Sequence, residues 1–142
     1  MKLNKAILLL MGVGMLFSAN SFARDTTYHL PIKDVLNLPE AKEKLDPTIK
    51  FYFGQSVAGS VVKTASTNKK TNAFNKSDEK ACQWAMLSAM LQMQERAKQL
   101  GVKKISNIVS YYKKNPYKST TTYECHAGSV MAGVALKGDF VK

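Results

Sequence analysis

The sequence has few of the residues on which enzymes and metal sites depend. Its 142 residues include two cysteines and two histidines, and arginine is nearly absent. No carboxylates cluster with the histidines, so a zinc site is not expected. There is no nucleotide-binding loop and no H-E-x-x-H, G-x-S-x-G or C-x-x-C motif. These absences give catalysis no support and predict a protein that works without a cofactor.

Acidic residues are also scarce. The sequence has 21 Lys and Arg but only 10 Asp and Glu, which gives a net charge of +11. The excess is uneven: residues 24–60 contain five bases and five acids, whereas residues 61–142 contain 14 bases and five acids. A basic region favours encounter with an anionic partner without identifying it. The 45% of hydrophobic and 22% of charged residues exclude a disordered tail and a membrane bundle.

The first 23 residues have the three parts of an export signal. Two lysines precede the apolar run from Ala6 to Phe17, and Ser21-Phe22-Ala23 then has the small-x-small pattern of a cleavage site. The run is shorter than the roughly 20 residues that span a bilayer. We therefore predict a signal peptide over residues 1–23, with a buried N-terminal helix as the alternative. No cysteine lies near the cut, so no lipid anchor is expected, and the mature chain from Arg24 would reach the periplasm or the medium.

Residues 24–142 predict a single α+β domain. Proline begins each of two short helices, over residues 31–36 and 39–45. Alternating apolar residues predict strands over 49–53 and 61–65, followed by a polar loop over 66–76. Further strands over 105–112 and 118–125 predict a hairpin around a turn at 113–117, before a small apolar tail over 130–136. Gly128 indicates either a hairpin turn or a bulge in one long strand. The expected fold is one long helix packed on a small antiparallel sheet.

The long helix is predicted from Asp78 to about Leu100, with Ser77 as N-cap and Gly101 at the C′ position. Its apolar stripe consists of residues at three- and four-residue steps: Cys82, Ala85, Met86, Ala89, Met93, Ala97 and Leu100. The small residues would let the helix approach a sheet closely. A methionine stripe can line a binding groove, but core packing is the favoured interpretation.

The two cysteines, Cys82 and Cys125, predict one disulfide. An even count in a small exported domain is typical of a disulfide, which here would tie the start of the helix to a late strand. Two buried free thiols or a redox pair are the alternatives. A nucleophile–base pair of Cys125 and His126 is disfavoured, because neighbours on a strand point to opposite faces.

A basic, aromatic hairpin tip is the strongest candidate for ligand binding. Lysine attracts phosphate or carboxylate, and exposed tyrosine can stack on a sugar or a base. With the flanking lysine pairs, the candidate ligand-binding residues are Lys69, Lys70, Lys103, Lys104, Tyr112, Lys113, Lys114, Tyr117 and Lys118. The alternative is a solubilising turn whose lysines protect a sheet edge. No nucleic-acid-binding module surrounds the tip, so specific nucleic-acid binding is not expected.

Several blocks resemble a family of small exported Gram-negative proteins that often bear the label "excinuclease ATPase subunit". The blocks are residues 68–72, 77–85, 109–115, 123–128 and 133–138, and two of them contain the cysteines. Because the chain lacks a nucleotide-binding loop, the ATPase activity in that label is not expected. The order of strand, Cys-led helix, strand and Cys-bearing strand is also similar to the globular domain of RcsF, an envelope-stress sensor lipoprotein. That resemblance implies an RcsF-like fold, although RcsF-type domains have two disulfides and a lipid anchor.

Together these patterns predict a non-catalytic exported interaction module. Its partner would be an unknown protein or an anionic ligand of the envelope or host, bound at the basic residues above. The alternative is a small thiol-dependent enzyme or redox protein that uses Cys82, Cys125 or His126.

Overall fold

The computed structural model describes residues 24–142, so the signal peptide predicted over residues 1–23 lies outside the described residues. The described chain contains six strands, three α-helices and a short 3-10 turn. They are β1 (Thr26–Pro31), α1 (Ile32–Leu36), α2 (Pro39–Lys44), β2 (Lys50–Phe53), β3 (Val61–Asn72), α3 (Asp78–Leu100), β4 (Lys104–Ser110), the 3-10 turn (Tyr112–Lys114), β5 (Thr122–Ala127) and β6 (Met131–Val141). Within residues 24–142, no helix has the length and apolar character that crossing a bilayer requires.

Strand β6 is the centre of a curled six-stranded sheet. It pairs antiparallel with β3 along its whole length, and its other edge is shared by β5 near Gly133 and by β4 towards Val141. β1 is antiparallel to β5, whereas β2 runs parallel to β4 at the far end. The α+β class is confirmed, and the prediction of an entirely antiparallel sheet is wrong at β2.

Three sequence-based expectations about strands need correction. The polar loop predicted over residues 66–76 is wrong for 66–72, because that segment continues β3 and is held by its pairing with β6. The strands around 105–112 and 118–125 do not form a hairpin, since only the isolated Ser110–Tyr117 bridge joins these two segments, and β4 and β5 each pair with β6 instead. β1 was not expected at all. Gly128 lies in the true hairpin turn, between β5 and β6, where its N–H donates to the Met131 carbonyl (2.8 Å).

Helix α3 begins and ends where its capping residues predict. The Ser77 hydroxyl accepts from the Lys80 N–H (3.1 Å), and Gly101 adopts the left-handed conformation (φ 68°) that glycine tolerates best. The methionine stripe belongs to the core, since Met86 and Met90 are fully buried. A Cβ built at Gly138 of β6 would stand 3.3 Å from Met93 Cε, so the helix lies very close to the sheet.

The predicted disulfide between Cys82 and Cys125 is present, with the Cα atoms 5.8 Å apart. Both cysteines are fully buried, Cys82 on α3 and Cys125 on β5. The neighbouring His126 lies on the opposite face of β5, where it contacts Glu124 and Asp25. The bond therefore fixes the first turns of α3 to the sheet, and the disfavoured Cys125–His126 pair does not form.

A polar clasp joins the first described residues to the N-terminus of α3. The Arg24 guanidinium donates to both carboxylate oxygens of Asp78 (2.7 and 3.0 Å) and to the Gly128 carbonyl (2.7 Å). The Tyr28 hydroxyl donates to Asp78 Oδ2 (2.7 Å). These hydrogen bonds, from Arg24 first and Tyr28 second, lower the pKa of Asp78 to about 2. The clasp connects three separate segments around one carboxylate.

Candidate ligand-binding face

The sheet has one face in the core and one face, here called the open face, turned away from α3. Alternation along β6 sends Val134, Leu136 and Phe140 into the core. The intervening residues point the other way, and Asp139 there accepts a hydrogen bond from the Thr64 hydroxyl (2.6 Å). The polar side chains of five strands thus meet on the open face, so this is where a ligand could reach them.

The chain between β4 and β5 folds against the open face. Two backbone hydrogen bonds between Ser110 and Tyr117 (3.0 and 2.8 Å) close a six-residue loop, residues 111–116, here called the tip loop. Inside it, Lys113 and Lys114 have φ values of 52° and 63°. Left-handed backbone at a residue other than glycine costs about 1 kcal/mol. Two consecutive lysines in this conformation make the tip loop a strained, defined turn.

Four lysines and one tyrosine define what we call the lysine face: Tyr111, Lys113, Lys114, Lys118 and Lys137. Tyr111 and Lys114 line two neighbouring depressions, of about 570 Å³ and about 380 Å³, and so form the ridge between them. Lys118 and Lys137 line the larger depression, and Lys113 lines the smaller one. Asn107, which also has a positive φ (52°), lies in the larger depression. The strained backbone therefore surrounds the place where the lysines converge.

Charge in the lysine face is strongly unbalanced. Asp139 is the one acidic residue that lines either depression among the described residues, against four lysines. The Lys137 ammonium lies 4.8 Å from the centre of the Tyr111 ring, within cation–π range. This contact places the Tyr111 ring beside the positive charges of the lysine face. Such an arrangement suits a ligand with several anionic groups.

Both histidines lie on the open face, and each stacks on a tyrosine: one tyrosine is in the tip loop and the other directly follows it. The ring centres are 3.6 Å apart for Tyr112 and His126, and 4.2 Å apart for Tyr117 and His29. Glu124 lies between the histidines, with Oε2 3.0 Å from His126 Nε2 and Oε1 3.3 Å from His29 Nε2. We call this set the histidine clamp, because it fastens both ends of the tip loop to β1 and β5.

Within the histidine clamp, His126 is suited to positioning the tip loop. The other ring nitrogen of His126, Nδ1, faces Asp25 Oδ1 (3.3 Å) and the Thr27 hydroxyl (3.4 Å). Since both nitrogens of His126 face protein groups, neither is available to a substrate. In residues 24–142, no group of three or more His, Cys, Asp and Glu side chains could hold a metal ion.

The structure brings together only some of the candidate residues. Lys113, Lys114 and Lys118 lie in the lysine face, while Tyr112 and Tyr117 belong to the histidine clamp. Lys70 lines a separate depression beside Tyr112 and His126. The remaining lysines are elsewhere.

Lys69, Lys103 and Lys104 lie outside the lysine face. Lys69 pairs with the core residue Val134, so its side chain leaves on the helix side of the sheet. Lys103 and Lys104 lie at the opposite end of β4 from the tip loop, and the Lys104 ammonium donates to the Ala58 carbonyl (2.8 Å). Tyr111, Lys137, His29 and Glu124 were not among the sequence candidates.

The alternative of a thiol-dependent enzyme requires a free thiol. In the described chain both cysteines are in the disulfide, so none is free. Comparison of the chain with protein-family models, with curated proteins and with solved structures finds no significant match.

Proposed function

We propose that this chain is an exported, non-catalytic binding module whose lysine face takes an anionic ligand. The observation that supports it best is the convergence of four lysines and Tyr111 around two adjoining depressions on the open face. The clustering of positive charge in residues 61–142 agrees with this. The ligand class is a molecule with several phosphate, sulfate or carboxylate groups, because single charges in water are bound weakly.

Backbone strain supports the same surface. Lys113 and Lys114 adopt a conformation that glycine would adopt more easily, and both side chains are exposed. Strain of this kind concentrates at functional sites, where surrounding contacts enforce it. Here the Ser110–Tyr117 bridge and the histidine clamp supply those contacts.

Export is part of the proposal. The predicted signal peptide over residues 1–23 supports it, and so does the Cys82–Cys125 disulfide, because such bonds form and persist in oxidising compartments. The RcsF-like character of the domain stays a prediction, supported by the disulfide that joins a long helix to a late strand. Whether the protein stays in the periplasm or passes to the medium is a separate question.

The test measures binding to inorganic polyphosphate, a soluble polyanion without apolar groups. The variant Lys113→Glu/Lys114→Glu should bind about tenfold more weakly or worse, and the parent's affinity should fall as salt rises. The matched control is Lys33→Glu/Lys42→Glu on α1 and α2, which changes the net charge equally at two exposed lysines. Control binding within about threefold of the parent supports a localised site. Equal losses in both variants, or no loss in either, would refute the lysine face as the binding site.

A further inference from the structure

An apolar tip protrudes at the end of the sheet where β3 ends and β6 begins. It consists of Phe74, Val130 and Met131, whose side chains are 67%, 65% and 48% exposed. The two loops that present them are joined by a hydrogen bond from the Ala73 N–H to the Val130 carbonyl (2.7 Å), and Asn72 pairs with Met131. Three of the six large apolar residues exposed in the described chain thus share one end of the sheet.

Hydrogen bonds fix the two loops that carry the apolar tip. The Phe74 N–H donates to Asn72 Oδ1 (2.7 Å), and the Lys76 N–H donates to the Ala73 carbonyl (3.1 Å). On the other loop, the Gly128 N–H donates to the Met131 carbonyl (2.8 Å). The apolar side chains are therefore held out in water by an ordered backbone. Transfer of the Phe74 side chain alone from water to an apolar environment could contribute a substantial favourable free energy.

Positive charge predominates in the two segments that carry the apolar tip. Residues 69–76 and 128–133 include three lysines and no acidic residue. Lys70 lines a depression of about 400 Å³ together with Tyr112, His126, Val130 and Met131. Arg24 and Asp25 also line it, but Arg24 binds Asp78 and Asp25 faces His126. Near the apolar tip, Glu79 on the exposed first turn of α3 is an acidic residue that forms no ion pair within the described chain.

We infer that the apolar tip inserts into the interface of an anionic phospholipid bilayer, with the surrounding lysines on the lipid headgroups. Apolar side chains with a basic surround are the combination that peripheral membrane binding requires. A protein partner is disfavoured, because the surface of three side chains is much smaller than the roughly 1,200 Å² that a stable protein interface buries. This inference rests on the proposed function, since it identifies the anionic ligand as the headgroup layer.

The lysine face and the apolar tip are on the same side of the sheet. Lys70 pairs with Gly133, and a Cβ built at Gly133 would lie 3.6 Å from the ring of Tyr112, a residue of the tip loop. Met131 and Lys137 are six residues apart on β6, a distance of roughly 20 Å. Because this exceeds the Debye length of about 8 Å at physiological salt, the two surfaces act as separable contacts.

The experiment compares two ligands in the same buffer: mixed vesicles of phosphatidylglycerol and phosphatidylcholine, and inorganic polyphosphate. Phe74→Ser/Val130→Ser should weaken vesicle binding about tenfold or more and leave polyphosphate binding unchanged. The matched control is Leu36→Ser/Val62→Ser, at exposed apolar residues away from the tip, and it should bind both like the parent. Vesicles of phosphatidylcholine alone should bind the parent poorly, because they lack negative charge.

A second readout reports insertion directly. Trp84 is the single tryptophan of the chain, so Phe74→Trp adds one more, and its emission should shift to the blue with vesicles and be quenched by brominated acyl chains. The inference would be overturned if the emission did not change on adding vesicles, or if Phe74→Ser/Val130→Ser bound vesicles as tightly as the parent does. The proposed function would still stand in that case, provided that the parent binds polyphosphate. Failure of the parent to bind either ligand would instead overturn the proposed function.

Discussion

The Cys82–Cys125 disulfide should supply a large share of the stability of this domain. The bond closes a segment with a sequence separation of 43 residues. On loop-closure entropy alone, that constraint on the unfolded chain stabilises the fold by about 4 kcal/mol. Domains of this size are stable by only about 5–15 kcal/mol in total. Reduction should therefore leave a less stable fold, because the residues that α3 buries in the core are mostly alanine and methionine.

Urea unfolding followed by circular dichroism measures this contribution. With a dependence on denaturant of about 1.5 kcal/mol per molar urea, a loss of about 4 kcal/mol lowers the midpoint by roughly 2–3 M. The oxidised and the reduced parent protein have the same sequence, so their difference isolates the bond. Cys82→Ala/Cys125→Ala is the second arm, and it should resemble the reduced parent apart from a small cavity term, since both cysteines are fully buried.

Two results would contradict this reasoning. Unfolding free energies within about 1 kcal/mol for the oxidised and reduced forms would mean that the unfolded chain is already constrained without the bond. Two titratable thiols in protein recovered from an oxidising compartment would contradict the bond itself. The N-terminal residue of that same preparation, expected to be Arg24, checks the proposed export.

Two further predictions concern the polar contacts that fix Arg24 to α3 and the tip loop to β5. Asp78→Asn should lower the free energy of unfolding by about 1 kcal/mol at pH 7. The loss is this small because the Arg24 side chain is 41% exposed, so water screens its charge. Since the pKa of Asp78 in the folded protein is about 2, below its value in the unfolded chain, this stability is complete above about pH 4 and is lost as pH falls to about 2. Urea unfolding of parent and variant across that range checks it, and a difference that persists at pH 2 would contradict it. His126→Ala should release the tip loop from β5 and speed tryptic cleavage after Lys113 and Lys114, whereas His126→Phe, which keeps a ring on Tyr112, should slow cleavage relative to His126→Ala. Equal cleavage rates in the parent and both variants would show that the histidine clamp does not hold the loop.

Local signals were enough to predict α3 and its two ends. Ser77 and Gly101 act within one turn of the helix, and the apolar stripe needs only the period of the helix itself. The disulfide was predictable for a different reason, because two cysteines allow only one intramolecular pair. Both inferences needed no knowledge of which strands are neighbours.

The strand pairing could not be predicted, because it depends on residues far apart in sequence. Residues 66–72 are polar and lack apolar alternation, so only the hydrogen bonds to β6 make them a strand. β4 and β5 are consecutive in sequence, and yet β4 pairs with β6 along most of its length while β5 pairs along its whole length with β1. The tertiary context overrode the local preference in both cases.

The same limit applies to the candidate site. Lys113 and Lys114 were found because a basic cluster is visible in any linear reading. Lys137 is a single lysine in an apolar strand, and it joins them only because β6 lies beside the chain that leads into the tip loop. The contact of Glu124 with His29 spans a sequence separation of 95 residues, so no local pattern indicates it.

The residues of the two sheet faces are under different constraints, and this is why the function is proposed on the open face. The core face is filled by α3 and fixed by the disulfide, so its residues are constrained by packing. On the open face, the fully buried Gly133 and Ala135 are small, which leaves room for Tyr111 and Tyr112 to lie against β6. Lys113 and Lys114 then take a strained backbone while their side chains remain exposed, and the Lys113 ammonium lies 5.7 Å from the centre of the Tyr112 ring. The proposed binding of an anionic ligand at the lysine face would account for exposed lysine side chains on such a strained backbone.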